Sequence, residues 1–243
     1  MLSSLLEVAF WSFVGAATLV VGSLVALRFE VGWRNIGLIM GFGAGTLIAA
    51  VAFDLTVVAY DEAGDVPTFI GLAAGALTFW AGDWLLERRT GGEDPVVGAK
   101  VSGPSLVLGA LLDGVPESVA IGTTLLGGSS VSVAMVVAVA ISNVPEGLAA
   151  TAGLKHAGMP ANRILSIWAG VVAISVAAAV VGYLVLGDAP ADTIAITQAF
   201  AGGAILAMLA NTMMPEAYAN GGREVGLVTV LGFIISSFLA GFN

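Results

Sequence analysis

The fold prediction rests on two similar stretches, LLDGVPESVAIG at Leu111–Gly122 and AISNVPEGLAAT at Ala140–Thr151. Each places a Pro-Glu pair inside a long apolar run, with an acidic or polar residue four positions before the glutamate. Asp113 and Glu117 have this spacing, as do Ser142 and Glu146, so each pair projects from one face of a helix. Carboxylates inside apolar helices are costly, so these residues point to a function.

The prolines add backbone oxygens to the same places. Proline has no N–H, so in a helix it leaves the carbonyl four residues earlier without its donor. Pro116 would free the Leu112 carbonyl, and Pro145 the Ile141 carbonyl. Each stretch then offers side-chain and backbone oxygens at one level of a helix, an environment suited to a cation.

The composition indicates an integral membrane protein. Of the 243 residues, 58% are hydrophobic and only 10% are charged, compared with about 25% charged in soluble domains. The absence of cysteine excludes disulfides and thiolate metal sites, and the single histidine excludes a multi-histidine zinc site. A net charge of -9, with no basic patch, argues against nucleic acid as a partner.

Eight apolar runs are near or above the length needed to cross a bilayer, about 20 residues. They are Glu7–Leu27, Ile36–Tyr60, Thr68–Leu86, Pro104–Leu126, Val131–Leu154, Ile164–Leu186, Thr193–Tyr218 and Val225–Phe242. The first run lacks the basic leading region of a signal peptide and is expected to be retained. We therefore predict an all-α polytopic bundle of eight transmembrane helices, forming a single domain over residues 1–243.

The distribution of basic residues predicts the orientation. All eight fall between runs one and two, three and four, five and six, or seven and eight; they are Arg28, Arg34, Arg88, Arg89, Lys100, Lys155, Arg163 and Arg223. Cytoplasmic loops accumulate such residues. The prediction is therefore a multi-pass protein of the plasma membrane with both termini outside and a long cytoplasmic loop at about residues 87–103.

Five acids lie well inside the runs without a basic partner: Asp54, Asp113, Glu117, Glu146 and Glu216. A buried carboxylate can be protonated, hydrogen-bonded or paired with a cation, and we favour the cation because several acids converge. An amide oxygen also suits a hard cation. We predict Asp113, Glu117, Asn143 and Glu146 as metal ligands, and Asp54, Ser142 and Glu216 as residues of the pathway.

Each of these residues also has a structural interpretation. Asp113 and Glu117 could form a protonated pair that fixes helix packing, and Ser142 and Thr212 could join helices by hydrogen bonds. Glu216 could be a solvated carboxylate near a helix end, and Asp54 could face a water-filled crevice. The residue pattern alone leaves these alternatives open.

The chain resembles the ZIP (Zrt- and Irt-like protein) family of divalent-metal transporters. The similar segments are GFGAGTLIAAVAFD at Gly41–Asp54, SNVPEGLA at Ser142–Ala149 and MMPEAY at Met213–Tyr218. The resemblance implies a helical bundle, commonly dimeric, with a metal site, sometimes binuclear, between the fourth and fifth helices. It implies transport of zinc, iron or manganese toward the cytoplasm. Glu117 and Glu146 match the family's bridging glutamates, and Asn143 stands where a polar ligand is common.

The chain departs from the family pattern at several positions. Asp113-Gly114 replaces His-Asn, Ser142 replaces histidine or glutamine, Asp54 replaces a histidine, Asn211-Thr212 replaces an acidic pair, and Ser175 replaces a glutamate. These changes remove nitrogen ligands and carboxylates. Oxygen ligands favour harder ions such as manganese, so we expect a shift toward a harder ion, or one bound metal in place of two.

The leading hypothesis is a divalent-metal transporter in which one helix group moves against the other. It is not an enzyme and needs no prosthetic group, because the metal is the substrate. A second hypothesis is a degenerate family member whose acids are protonated and which serves as a membrane scaffold or binds a partner. A third is a proton-coupled carrier of an organic cation.

Overall fold

The computed structural model describes residues 2–90, 103–127 and 131–240, and nearly all of them are helical. We number the helices in chain order. They are α1 (Leu2–Arg28), α2 (Trp33–Ala63), α3 (Asp65–Thr90), α4 (Gly103–Gly127), α5 (Val133–His156), α6 (Ala161–Leu186), α7 (Ala191–Gly221) and α8 (Glu224–Ala240). The all-helical prediction is confirmed for the described residues, and each predicted run corresponds to one helix.

The helix ends differ from the apolar runs because capping residues, not hydrophobicity, set them. The Ser132 side chain accepts a hydrogen bond from Met135 N–H at 3.1 Å, so α5 begins at Val133 and not at Val131. Gly64 has a φ of 80° and separates α2 from α3. Helix α3 runs on to Thr90, beyond the predicted loop start at 87, and residues 91–102 of that loop lie outside the described ranges.

Six of these helices are long and apolar enough to cross a membrane: α1, α2, α3, α5, α6 and α7. Helix α8 contributes a shorter apolar segment, Glu224–Leu239. Helix α4 has 25 residues but carries Asp113 and Glu117 near its middle. The chain is thus a multi-pass membrane protein by length and composition, while eight crossings and the sidedness of the termini stay predictions.

Two helices contain a π-helical segment, at Val51–Val57 in α2 and at Leu209–Met213 in α7. The second segment precedes Pro215, which cannot donate to the Asn211 carbonyl, and the wider turn adjusts the backbone around that missing bond. The first contains Asp54. Both segments therefore place polar residues at irregular turns within otherwise apolar helices.

Glycines bring the helices together in four close pairs. Gly22 of α1 lies against the Val144 carbonyl of α5, and Gly147 of α5 lies against the Leu19 carbonyl of α1, so neither position has room for a side chain. Similar contacts join α2 to α8 at Gly45 and Gly232, α3 to α7 at Gly75 and Gly203, and α4 to α6 at Gly122.

Further contacts combine the pairs into two groups. Helix α1 also packs on α6, which gives a first group of α1, α4, α5 and α6. Helix α2 packs on the last part of α7, where Gly37 meets Gly221, which gives a second group of α2, α3, α7 and α8. The two groups meet chiefly where α2 packs on α5 and α4 packs on α7. All the predicted metal ligands belong to the first group.

Candidate metal centre

Helix α4 supplies the most deeply buried carboxylate of the predicted ligand set. Glu117 is only 1% exposed, and neither of its carboxylate oxygens has a hydrogen-bond partner among the residues that the structure describes. Asp113 lies one turn earlier on the same face and is partly exposed. The i, i+4 spacing thus produces the juxtaposition expected from the sequence, with Pro116 contained inside the continuous helix.

Helix α5 adds three polar side chains. The Asn143 amide is buried and donates from Nδ2 to the Gly15 carbonyl of α1 at 3.1 Å, which leaves Oδ1 as its acceptor. Ser142 Oγ lies near Glu117 but donates to the Val139 carbonyl of its own helix at 2.9 Å, so it does not join two helices. Glu146, one turn beyond Ser142, is partly exposed.

The acids of α4 and α5 face one another and acids from the second group. Asp113 experiences repulsion from Asp83 of α3 and Glu216 of α7. Glu146 experiences repulsion from Asp113, Glu117 and Glu216. No basic side chain appears among the electrostatic partners of these three residues in the described part of the chain. When ionised, these acids would together create a negative potential that attracts a cation.

The acids share a region but do not form a finished coordination shell. Within the described ranges, no three histidine, aspartate or glutamate side chains approach closely enough to hold a metal ion. Ionised carboxylates repel one another, which keeps these side chains apart. A bound cation would allow them to move together. The predicted ligand set stays a prediction: Asp113 and Glu117 of α4 interact with Glu146 of α5, whereas the Asn143 amide is bonded to α1.

Asp83 is a member of this cluster that the sequence analysis missed. It lies near the end of an apolar run, where a solvated carboxylate is common, and it interacts with Asn211 of α7 and with Glu87. Its spacing to Glu87 is i, i+4, the same as that of Asp113 and Glu117. That repeated spacing is the feature of the sequence that could have identified Asp83 as a candidate. Asp83, Asn211 and Glu216 together mark the end of the bundle where α3 and α7 end.

Asp54 is separate from this cluster. Its Oδ1 accepts a hydrogen bond from Ser132 Oγ at 2.8 Å, while its Oδ2 is buried and has no partner in the described part of the chain. Ser132 N–H in turn donates to Thr124 Oγ1 at 3.1 Å. Asp54 therefore lies at the opposite end of the bundle from Asp83 and Glu216, beside the end of α4 and the start of α5.

Helix α6 contributes Ser175, the position where the family resemblance implied a glutamate in some members. Ser175 is 1% exposed, and its Oγ has no hydrogen-bond partner within the described ranges. A methyl group on Gly114 would lie 3.2 Å from that oxygen, so Ser175 faces α4 beside Asp113. Thr212, another position of departure, donates to the Met208 carbonyl of its own helix at 2.7 Å and joins no helices.

Comparison with known proteins gives one informative similarity. The chain is 27% identical over 222 residues to an Arabidopsis thaliana protein named "Putative zinc transporter". The match covers 88% of this chain but only 35% of that protein, so the chain spans about a third of the length of the curated relative. No family model matches the chain. Over most of its length, the chain is therefore similar to one part of a plant protein whose name assigns it zinc transport.

Proposed function

We propose that this chain is a divergent ZIP-type transporter that carries a divalent metal cation across the membrane. Glu117, Glu146, Asp113 and Asn143 would bind the ion between α4 and α5. The similarity to a protein named as a zinc transporter, over 88% of the chain, supports the class. The transported ion would enter and leave along acids at the two ends of the bundle.

The state of Glu117 carries this proposal. Glu117 is only 1% exposed. A carboxylate that is so deeply buried and has only a structural role normally accepts hydrogen bonds, because a buried charge without partners costs several kcal/mol. By geometry neither oxygen of Glu117 accepts a hydrogen bond from the described residues, although the Ser142 hydroxyl lies beside it, and the carboxylate faces Asp113. A cation would satisfy these oxygens and offset the repulsion at once.

The two helix groups suggest how the ion crosses. The first group carries Asp113, Glu117, Asn143 and Glu146, whereas the second carries Asp54 at one end and Asp83 and Glu216 at the other. Displacement of the first group along the second would bring its acids toward either end in turn. In the described arrangement Asp113 faces Asp83 and Glu216, and Glu146 faces Glu216. We take that end as the cytoplasmic one, in line with the basic loops.

The donor set favours a hard ion. Asp113, Glu117, Asn143 and Glu146 offer only oxygens, and oxygen ligands suit manganese better than zinc. We therefore expect manganese to be carried at least as well as zinc. A homodimer remains part of the proposal on the strength of the family resemblance, and a plasma-membrane location on the absence of cysteine and the distribution of basic residues.

Uptake into proteoliposomes tests the proposal. Manganese, zinc, iron, cobalt and cadmium are offered to the unaltered chain, to Glu117→Gln and to Glu62→Gln, which removes an exposed carboxylate at the end of α2. We expect uptake of at least one metal, a fall of roughly tenfold or more in Glu117→Gln for a lost charged ligand, and normal uptake in Glu62→Gln. Equal uptake by both variants would exclude the carboxylate site.

The scaffold alternative has one observation in its favour, which is that no three acids among the described residues already enclose a metal. If no metal enters the vesicles and Glu117→Gln is at least as stable as the unaltered chain, the acids are structural. The organic-cation carrier would instead show uptake of a cationic solute that metals do not inhibit.

A further inference from the structure

The side-chain hydrogen bonds that join the two helix groups are unevenly placed. Within the described ranges they are Ser132 Oγ to Asp54 Oδ1 at 2.8 Å, Gln198 Nε2 to the Thr123 carbonyl at 3.2 Å, and a long contact from Thr46 to the Ala138 carbonyl at 3.5 Å. All three lie between the Asp54 end and the middle of the bundle. At the other end the groups present acids to each other.

Two of these bonds form one connected structure. Asp54 and Gln198 belong to the second group, and they bind the start of α5 and the end of α4, which belong to the first. Ser132 N–H and Thr124 Oγ1 link those two attachment points to each other. Gln198 is 2% exposed, and Asp54 lies in the π-helical segment of α2. The pair therefore fastens both helices of the candidate site to the second group at the Asp54 end.

We propose that the Asp54–Ser132 and Gln198–Thr123 hydrogen bonds form a latch. The latch closes the path from the Asp54 end of the bundle to Asp113, Glu117 and Glu146, and it opens when these acids become accessible from that end. The inference deepens the proposed transport, because a site served from two ends must be closed at one end while it is open at the other. If the two hydrogen bonds were only structural, they would stabilise the bundle without controlling whether a solute reaches the residues between the latch and Ser142.

Thiol labelling tests the latch and requires neither metal nor an uptake measurement. The chain has no cysteine of its own, so a single introduced cysteine is the only group labelled. Thr46→Cys serves as the reporter, because Thr46 is 1% exposed and lies between the latch and Ser142. The latch is broken in this background by Ser132→Asp or Gln198→Leu. Aspartate at 132 still caps α5 but repels Asp54, so it removes the latch bond and keeps the helix start.

We expect each latch variant to raise the rate of modification of the reporter by a methanethiosulfonate reagent roughly two- to tenfold, the factor by which loss of one hydrogen bond shifts a two-state population. Thr197→Val, which alters a half-buried residue whose hydroxyl donates to the Thr193 carbonyl within α7, should leave the rate unchanged. A Ser23→Cys reporter, fully buried in α1, should also be unaffected, which separates local opening from general loosening.

Equal labelling of the Thr46→Cys reporter with and without the latch bonds would overturn the inference, as would parallel increases at positions 46 and 23. The outcome is independent of metal uptake. A latch can therefore fail while transport stands, and access can be controlled in a protein that moves some other cation.

Discussion

At the scale of single residues, the polar groups of the bundle divide into satisfied and unsatisfied ones. Trp168 Nε1 donates to Thr151 Oγ1 at 2.8 Å, and both residues are buried, at 1% and 0% exposure. Glu117 and Asp54 instead have buried oxygens with no donor among the described residues. The first kind stabilises the fold, whereas under the proposed function the second kind is available to a ligand or to a partner in a second conformation.

The satisfied pair gives a stability prediction. Thr151→Val keeps the shape of the side chain but leaves the indole N–H without an acceptor, which should cost about 1 kcal/mol and lower the melting temperature by roughly 2 to 4 °C. Thr78→Val is the control, because Thr78 is exposed and donates only to the Ala74 carbonyl of its own helix. Equal melting temperatures for the two variants would contradict this assignment.

At the scale of the helices, glycine decides which surfaces meet. A methyl group at Gly147 would collide with the Leu19 backbone of α1, whereas nothing lies within 4 Å of a methyl group at Gly153 on the same helix. Gly147→Ala should therefore force α1 away from α5 and lower stability by about 1 to 3 kcal/mol.

Gly153→Ala is the matched control for that prediction. It should leave stability unchanged or raise it by up to about 1 kcal/mol, because alanine favours helix. Thermal unfolding in detergent measures both variants. A Gly147→Ala protein as stable as Gly153→Ala would mean that the α1–α5 contact is not close.

The helices themselves were largely predictable, and their irregularities were not. Apolar runs of about 20 residues can do little other than form helices in a bilayer, so eight runs gave eight helices. Hydropathy says nothing about π-helical turns, which depend on how the backbone adjusts to its neighbours. Asp54 was predicted as a pathway residue. For the reason just given, its hydrogen bond from Ser132, 78 positions away, was not predicted.

At the scale of the whole molecule, the site depends on which helices face each other. The sequence placed Asp113 with Glu117, and Ser142 with Glu146, because local spacing determines such pairs. It could not bring Asp83 and Glu216 to the same region, since that requires the packing of α3 and α7 against the first group. Asp83 was therefore missed. Which metal binds also depends on distances between side chains, and the spacing of residues along the sequence does not determine them.

The interface between the two groups gives a prediction about movement. A methyl group at Gly43 of α2 would lie 2.9 Å from Ser142 Cα of α5, a backbone contact between the groups at the level of the site. Gly43→Ala should therefore hinder displacement and reduce metal uptake by roughly threefold or more, a barrier increase on the order of 1 kcal/mol. The same backbone contact should also lower stability by about 1 to 3 kcal/mol, so uptake is measured well below the melting temperature, where the variant is folded.

Gly153→Ala again serves as the control and should transport normally. Unchanged uptake by a folded Gly43→Ala protein would contradict displacement along this interface, although it would leave metal binding by the acids untouched.

The central claim is that the facing acids of α4 and α5 bind a divalent cation, and metal-dependent melting in detergent tests it most directly. Ligand at about 100 times its Kd stabilises a folded protein by about 2.7 kcal/mol, or roughly 5 to 10 °C for a chain of this size. We predict this rise with manganese or zinc for the unaltered chain and for Glu62→Gln, and its loss in Glu117→Gln. No rise with any divalent metal, or an equal rise in Glu117→Gln, would contradict the account.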